Sequence, residues 1–283
     1  MTDLRSPEPA LAGPPAVQRR TAVGRGALGT GARAGANGLL LPGAGLLVAF
    51  AVWWLTARLE LVHPAALPTP GSVLSAFTDK PDRMLEHTLD TMLEILIGFA
   101  LSAVAGVLLG LSLAASRTVE RMFTPLLVAV NAVPKITLGP LLVVALGWGQ
   151  KPILTMVFLL CFFPIVDLAE LVRSLNASWW QAFRKVRFPA ALPQIFVGLK
   201  VAMPLAAIGA VIGEFQAGES GLGYVITQYA GIGDTATAWA AIMLVALVSI
   251  LLYSALVFVE RLALPWVRAT TSEAYWARQR PRK

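Results

Sequence analysis

Hydrophobic positions gather into six long runs, near residues 38–58, 90–115, 122–147, 152–168, 195–215 and 236–259. Between them lie short polar or breaker-rich stretches. A helix needs about 20 mostly apolar residues to cross the hydrocarbon of a bilayer, so the pattern predicts six membrane spans. Leu39 through Leu55, Leu93 through Ala115 and Trp239 through Val259 are the clearest. The third and fourth runs are separated only by Gly147-Trp148-Gly149-Gln150-Lys151-Pro152, a turn signal that predicts a tight helical hairpin. The fourth is short for a bilayer. Residues 1–37, rich in Ala, Gly, Pro and Arg and without apolar periodicity, read as a disordered tail. Residues 269–283 read as a second, basic tail, which leaves 38–268 as the membrane domain. Arg19-Arg20 resembles part of a twin-arginine signal, but the run that follows begins late and is long enough to span, which argues against cleavage.

Composition agrees with the periodicity. Of 283 residues, 57% are hydrophobic and only 14% charged, with a mean hydropathy of +0.69. Ordinary soluble domains carry about 25% charged residues. Too little polar surface is available for a soluble fold, and the loops leave no room for a globular catalytic domain. The net charge of +7 and pI near 10.0 suggest nucleic acid only until the charges are placed. Arg5, Arg19, Arg20, Arg25 and Arg33 precede the first span; Arg117 and Arg121 lie between the second and third. Arg173, Arg184, Lys185 and Arg187 lie between the fourth and fifth, with Lys200 just inside the fifth, and Arg261, Arg268, Arg278, Arg280, Arg282 and Lys283 follow the sixth. The alternate connections hold only Lys80, Arg83 and Lys151. Excess Lys and Arg mark cytoplasmic flanks, so six spans with both termini in the cytoplasm are expected. The basic pI is a topology signal, and no nucleic-acid partner is expected.

Inside the spans, Pro125, Pro134, Pro140, Pro164 and Pro204 interrupt the helical ladder, and Gly106 and Gly110 form a G-x-x-x-G pair suited to close helix approach. The prolines around Asn131–Pro140 point to a helix interrupted beside a pathway, because carbonyls freed in lipid need a neighbouring helix or a wet cavity. The polar side chains at membrane depth are Glu94, Asn131, Lys135 and Glu214. Such residues normally face a bundle interior. Lys135 can serve an anionic solute or pair with Glu94 or Glu214. Glu214, near the outer end of its span, can act at a gate or interface or reach out to water. Asn131, Lys135 and Glu214 are therefore the candidates for the translocation pathway. Cys161 is single and lies in an apolar run, while His63 and His87 stand apart, so neither a metal cluster nor a catalytic constellation is read.

The loop from Asp167 to Pro193 is polar, basic and amphipathic. Trp179, Trp180 and Phe183 offer apolar anchors, and Arg184, Lys185 and Arg187 offer charge. Physically it suits either a short cytoplasmic docking helix or a helix lying on anionic lipid.

This loop resembles that of the permease subunits of ABC importers, whose pattern is E-A-A, three residues, G, nine residues, then I-x-L-P. Here Glu170 takes the Glu position, Leu171-Val172 replace the Ala pair, Asn176 replaces Gly, Val186 falls on Ile, and Phe188-Pro189 fall on Leu-Pro. The resemblance covers roughly residues 38–268 and is strongest to the nitrate, sulfonate and taurine branch, through Leu67-Pro68-Thr69-Pro70, Val133-Pro134-Lys135-Ile136, Phe162-Phe163-Pro164-Ile165, Gly213-Glu214-Phe215 and Gly221-Leu222-Gly223-Tyr224-Val225-Ile226. The stretch from Phe163-Pro164 to Glu170 is shorter than in such relatives. The resemblance implies an all-α, six-span fold of the type I importer kind, in a bacterial cytoplasmic membrane. It further implies a coupling helix carrying Glu170, Asn176, Trp179, Trp180, Phe183, Val186, Phe188 and Pro189. Partners implied are a separate ABC ATPase, an extracytoplasmic solute-binding protein, a second permease copy and the lipid bilayer. No cofactor is expected. The chain contains no G-x-x-x-x-G-K-[ST] phosphate loop, so it is read as a transport subunit, not an enzyme. A small anion is the expected cargo, with a pyrimidine vitamin precursor or a flavin as alternatives. An ion-coupled secondary transporter is the remaining reading, and the internal repeat it would call for is not evident.

Overall fold

The computed structural model describes residues 31–63, 66–170 and 188–265, all of whose regular structure is helical. Both ends of the chain and most of the loop between the fourth and fifth runs lie outside the described residues. The chain divides between Val52 and Trp53. Helix α1 (Gly31–Arg58) runs through that division, and its part before it presents Leu46, Leu47, Val48 and Phe50 as exposed side chains. Its described apolar stretch, Gly43–Arg58, is shorter than a full span.

Beyond Val52 follow α2 (Pro70–Asp79), α3 (Pro81–Ala115), α4 (Arg117–Asn131), a single 3-10 turn at Lys135–Leu138, α5 (Gly139–Leu146), α6 (Gln150–Glu170), α7 (Phe188–Ala217), α8 (Leu222–Gly231) and α9 (Thr235–Ala263). Local chemistry explains their starts. Thr69 caps α2 by accepting from Ser72 N, with Pro70 opening the first turn; Ser116 and Asp234 cap α4 and α9 in the same way. Pro81 opens α3. At 35 residues α3 is about 50 Å long, so its polar start, with Asp82, Arg83, Glu86 and His87, extends past a bilayer whose hydrocarbon is about 30 Å thick.

Four helices are long and apolar enough to cross: Pro81–Ala115, Gln150–Asp167, Leu192–Ala217 and Thr235–Ala263. The third run of the sequence is broken. Arg117–Asn131 and Lys135–Leu146 meet at 80°, where Pro134 removes a donor and Pro140 restarts the helix. The Gly147–Gly149 turn then leads into α6, and Gly149 N donates to Ala217 O (2.9 Å), which pins the turn to the end of α7.

The core is made by α3, α6 and α7. Ile95, Phe99, Val157, Cys161, Ala202, Met203, Ala206 and Ala210 pack as one cluster, joined by Val248 of α9. Small residues set the spacing. A Cβ at Gly98 would lie 2.6 Å from Val157 Cβ, and one at Gly209 would lie 2.8 Å from Val157 Cα, so α6 is gripped at Val157 from both sides. In lipid, where apolar contact alone gives little drive to associate, such close approach supplies dispersion contact. Gly106 of the G-x-x-x-G pair also meets α6, at Ile165. The outward faces stay apolar: Leu101, Val104 and Leu108 of α3 and Leu247, Ile250, Leu251 and Phe258 of α9 are exposed, as helices facing lipid require. Farther along, Met84, Leu222, Val225 and Ala241 form a smaller cluster joining α3, α8 and α9. Trp53 stacks on Trp239 (6.1 Å) beside α2.

Candidate functional site

The polar residues that the sequence singles out fall into two groups, one buried and one at the surface of the helix break. The first surrounds the N-terminus of α8, whose leading amides have no helical partner of their own. Each finds a side chain instead. Gly221 N donates to His87 Nδ1 (3.1 Å), Leu222 N donates to Thr91 Oγ1 (2.7 Å), and Gly223 N donates to Glu214 Oε2. Thr91 passes the interaction on, its hydroxyl donating to Glu214 Oε1 at 2.6 Å. His87, Thr91 and Glu94 are spaced i, i+4, i+7 on one face of α3, which supplies two of the three acceptors, while α7 supplies Glu214.

Backbone geometry at this junction depends on Gly221. Its φ of 94° is a region that side-chain-bearing residues rarely enter, and a Cβ there would collide with the Glu214 carboxylate. The chain thus turns from α7 into α8 over a carboxylate that receives its amide.

Glu214 is 1% exposed and Glu94 6% exposed. Their carboxyl groups lie against one another. Glu94 Oε2 remains buried with no protein partner. Beside it lies a cavity of about 220 Å³, lined by Asp90, Leu93, Glu94, Gly149, Gln150, Ile153, Glu219 and Ser220. Glu214, read from sequence as either a gate residue or one reaching for water, is therefore enclosed at a helix junction.

The second group sits at the break between α4 and α5. Lys135 Nζ donates to Asn131 O (3.1 Å) and to Asn131 Oδ1, and stands 4.8 Å from the centre of the Phe163 ring. Asp167 is within electrostatic reach. The two sequence candidates Asn131 and Lys135 are thus brought together, while Glu214 belongs to the other group. No described hydrogen bond joins Lys135 to Glu94 or Glu214. The ammonium meets one backbone carbonyl at the broken helix, the Asn131 side-chain amide oxygen and a π face, a cationic point at the interruption.

Two further features escaped the sequence reading. Thr91 draws no notice in the sequence and His87 reads there only as standing apart, although the spacing His87, Thr91, Glu94 on one helix face is visible. Lys200 of α7 pairs with Glu260 of α9, Nζ to Oε1 2.8 Å and to Oε2 3.0 Å, with both side chains largely enclosed. By sequence position alone Lys200 belongs with the basic flank. Cys161 is buried in the three-helix core, its thiol against Ala202 O. Among the described residues no group of His, Cys, Asp and Glu side chains is placed to hold a metal ion. The coupling-loop positions Asn176, Trp179, Trp180, Phe183 and Val186 lie outside the described residues; Glu170 ends α6, and Phe188 and Pro189 begin α7.

Comparison with known proteins bears on what this arrangement serves. Residues 104–265 match the family model described as binding-protein-dependent transport system inner membrane component. The formylaminopyrimidine transport permease ThiX of Halalkalibacterium halodurans is 33% identical over 237 residues, covering 78% of this chain and 93% of that protein. The putative aliphatic sulfonates transport permease SsuC of Bacillus subtilis is 30% identical over 244 residues, 81% of this chain and 87% of that one. The riboflavin transport system permease RibX of Chloroflexus aurantiacus is 33% identical over 235 residues, 78% and 88% of the two chains.

Proposed function

Because the chain belongs to the family of binding-protein-dependent transport system inner membrane components, and so is a multi-pass permease subunit of an importer of small solutes, we propose how it is oriented, powered and loaded. Both termini face the cytoplasm, and the permease body runs over about residues 38–268, between the two tails. The asymmetry of Lys and Arg in the connections supports this orientation. It puts the Glu214–Gly223 junction at the extracytoplasmic end and the Glu170–Pro189 loop at the cytoplasmic end.

The energy comes from a separate ATPase whose groove receives that loop. Glu170, Asn176, Trp179, Trp180, Phe183, Val186, Phe188 and Pro189 form the coupling element, which transmits the closing motion of the ATPase to α6 and α7. The single observation that carries this reading is continuity. The loop leaves the end of α6 and enters the start of α7, the two helices that grip one another at Val157 and Gly209. A solute-binding protein delivers cargo to the opposite face, and a second copy of this chain completes the pathway.

The cargo is a small anion of the sulfonate, nitrate or taurine kind. Lys135, held beside Asn131 at the interrupted helix, supplies the charge such a solute needs. The similarity to permeases named for formylaminopyrimidine and riboflavin favours a neutral heterocycle as the second reading.

The test is Glu170→Arg in vesicles reconstituted with the chain, its ATPase and its binding protein. We expect normal insertion, ATP hydrolysis that no longer responds to the loaded binding protein, and solute uptake reduced to background. Uptake at the wild-type rate would overturn the docking assignment.

A further inference from the structure

Three successive amides open α8, and each is held by one side chain: Gly221 N by His87, Leu222 N by Thr91 and Gly223 N by Glu214. The three acceptors answer differently to a proton. A threonine hydroxyl does not titrate, and a carboxyl group that gains a proton keeps acceptor capacity. Imidazole is the exception. Its Nδ1 accepts only while the ring is neutral with the proton on Nε2, because in imidazolium both nitrogens are donors. The 3.1 Å bond from Gly221 N to Nδ1 therefore belongs to one charge state of a side chain whose charge ordinarily changes between about pH 5 and 8.

Protonation does more than remove an acceptor. It sets one N–H against another and brings positive charge to the N-terminus of α8, where the helix dipole is itself positive. Gly221 has little freedom to turn its amide elsewhere, since its φ of 94° and the Glu214 carboxylate packed beside its Cα fix the turn. α8 is only 10 residues long, and its apolar seat is the small cluster of Met84, Leu222, Val225 and Ala241. The three bonds at its first turn are thus a large part of what fixes it to α3. His87 is half-buried near the polar start of α3, within reach of water.

Other ionisable groups surround the junction. On α3 these are Arg83, Glu86, Asp90 and Glu94, preceded by Asp79 and by Lys80, which is held at Tyr229 of α8. Glu214 and Glu219 lead into α8, Tyr224 of α8 has its ring 6.0 Å from the imidazole, and Lys151 stands at the start of α6. α9 adds none from Thr235 to Val245, and Asp234 is taken up in capping it.

We propose that His87 is a pH-sensitive latch on the α7–α8 junction. Neutral, it holds Gly221 N and keeps the first turn of α8 seated on α3; protonated, it releases that turn. Because the bond belongs to the neutral ring, its contribution is complete near pH 8 and is lost as the pH falls toward about 5. The latch is a property of the chain itself. That it answers to the pH outside the cell rests on the orientation proposed above.

The experiment is amide hydrogen exchange of the full chain in lipid nanodiscs from about pH 8 to about pH 5, with fragmentation to read Gly221 singly and each rate divided by the intrinsic rate at that pH. Protection of Gly221 should fall about threefold to tenfold across the range, the size of one hydrogen bond. His87→Asn puts an uncharged carbonyl oxygen where Nδ1 stands and should hold the high value throughout, whereas His87→Leu, which has no acceptor, should show the low value throughout. Wild-type protection that does not change with pH would overturn the latch. So would an equal fall in His87→Asn, because one of the carboxyl groups named above would then be the titrating group. Should the His87 variants fail to insert, isotope-labelled histidine in a His63→Gln background decides: the ring nitrogens of His87 must titrate together with the loss of Gly221 protection, and a loss at a different pH overturns the proposal. A pH step on one side of sealed vesicles, with the chain inserted one way, tests the orientation separately. A response from the cytoplasmic side would overturn the orientation and leave the latch standing.

Discussion

Thr91 carries more of this site than its size suggests. One hydroxyl both donates to Glu214 and accepts from Leu222 N, so its loss leaves a buried carboxylate oxygen and a buried amide short of partners at once. Thr91→Val keeps the β-branched shape and removes only that oxygen. We expect it to destabilise the fold by about 1–3 kcal/mol, read as a lower thermal midpoint in detergent, with Thr91→Ser close to wild type. A Thr91→Val protein as stable as wild type would show that the junction is held by packing alone. The residue is also instructive about legibility. Glu94 and Glu214 stand out in sequence because charge is rare at membrane depth, whereas a threonine in an apolar run draws no notice. Its partner is 123 positions away, and no local pattern announces that.

Among the helices, glycine and proline mark different events. Prolines at Pro134 and Pro140 coincide with the 80° break between α4 and α5, because a missing N–H and a fixed φ act within a turn of where they occur. The pairing of α7 with α9 is of another sort. Lys200 and Glu260 each look like an end-of-helix residue that could reach water, yet they meet across the two helices. An ion pair in such surroundings is worth little against a well-packed apolar pair but much against a lone charge. We expect Lys200→Met and Glu260→Leu each to lower stability by about 1–3 kcal/mol, and the double variant to recover most of that loss. Thermal denaturation of the four proteins in nanodiscs measures the coupling. Additive losses would mean that the two side chains act independently.

For the molecule as a whole, what the chain lacks is as informative as what it has. No phosphate-loop pattern occurs anywhere in its 283 residues, and family membership places it in machinery that imports small solutes. On the proposed reading, in which a separate ATPase powers the permease, the purified chain should hydrolyse no ATP above a vesicle-only background, and hydrolysis should appear when that ATPase is added. Sustained hydrolysis by the chain alone would contradict the subunit reading. Membrane residence, the helical class, four of the six expected spans, the break near Pro134 in another and the family were legible in the amino acids. These depend on composition, periodicity and short spacings, which act locally and survive in a linear string. The enclosure of Glu214, its contact with Glu94, the bridging role of Thr91, the pairing of Lys200 with Glu260 and the cavity beside Glu94 were decided only in three dimensions. Each joins side chains from different helices, and the rotation and depth at which two helices meet is set by packing, as at Val157 between Gly98 and Gly209.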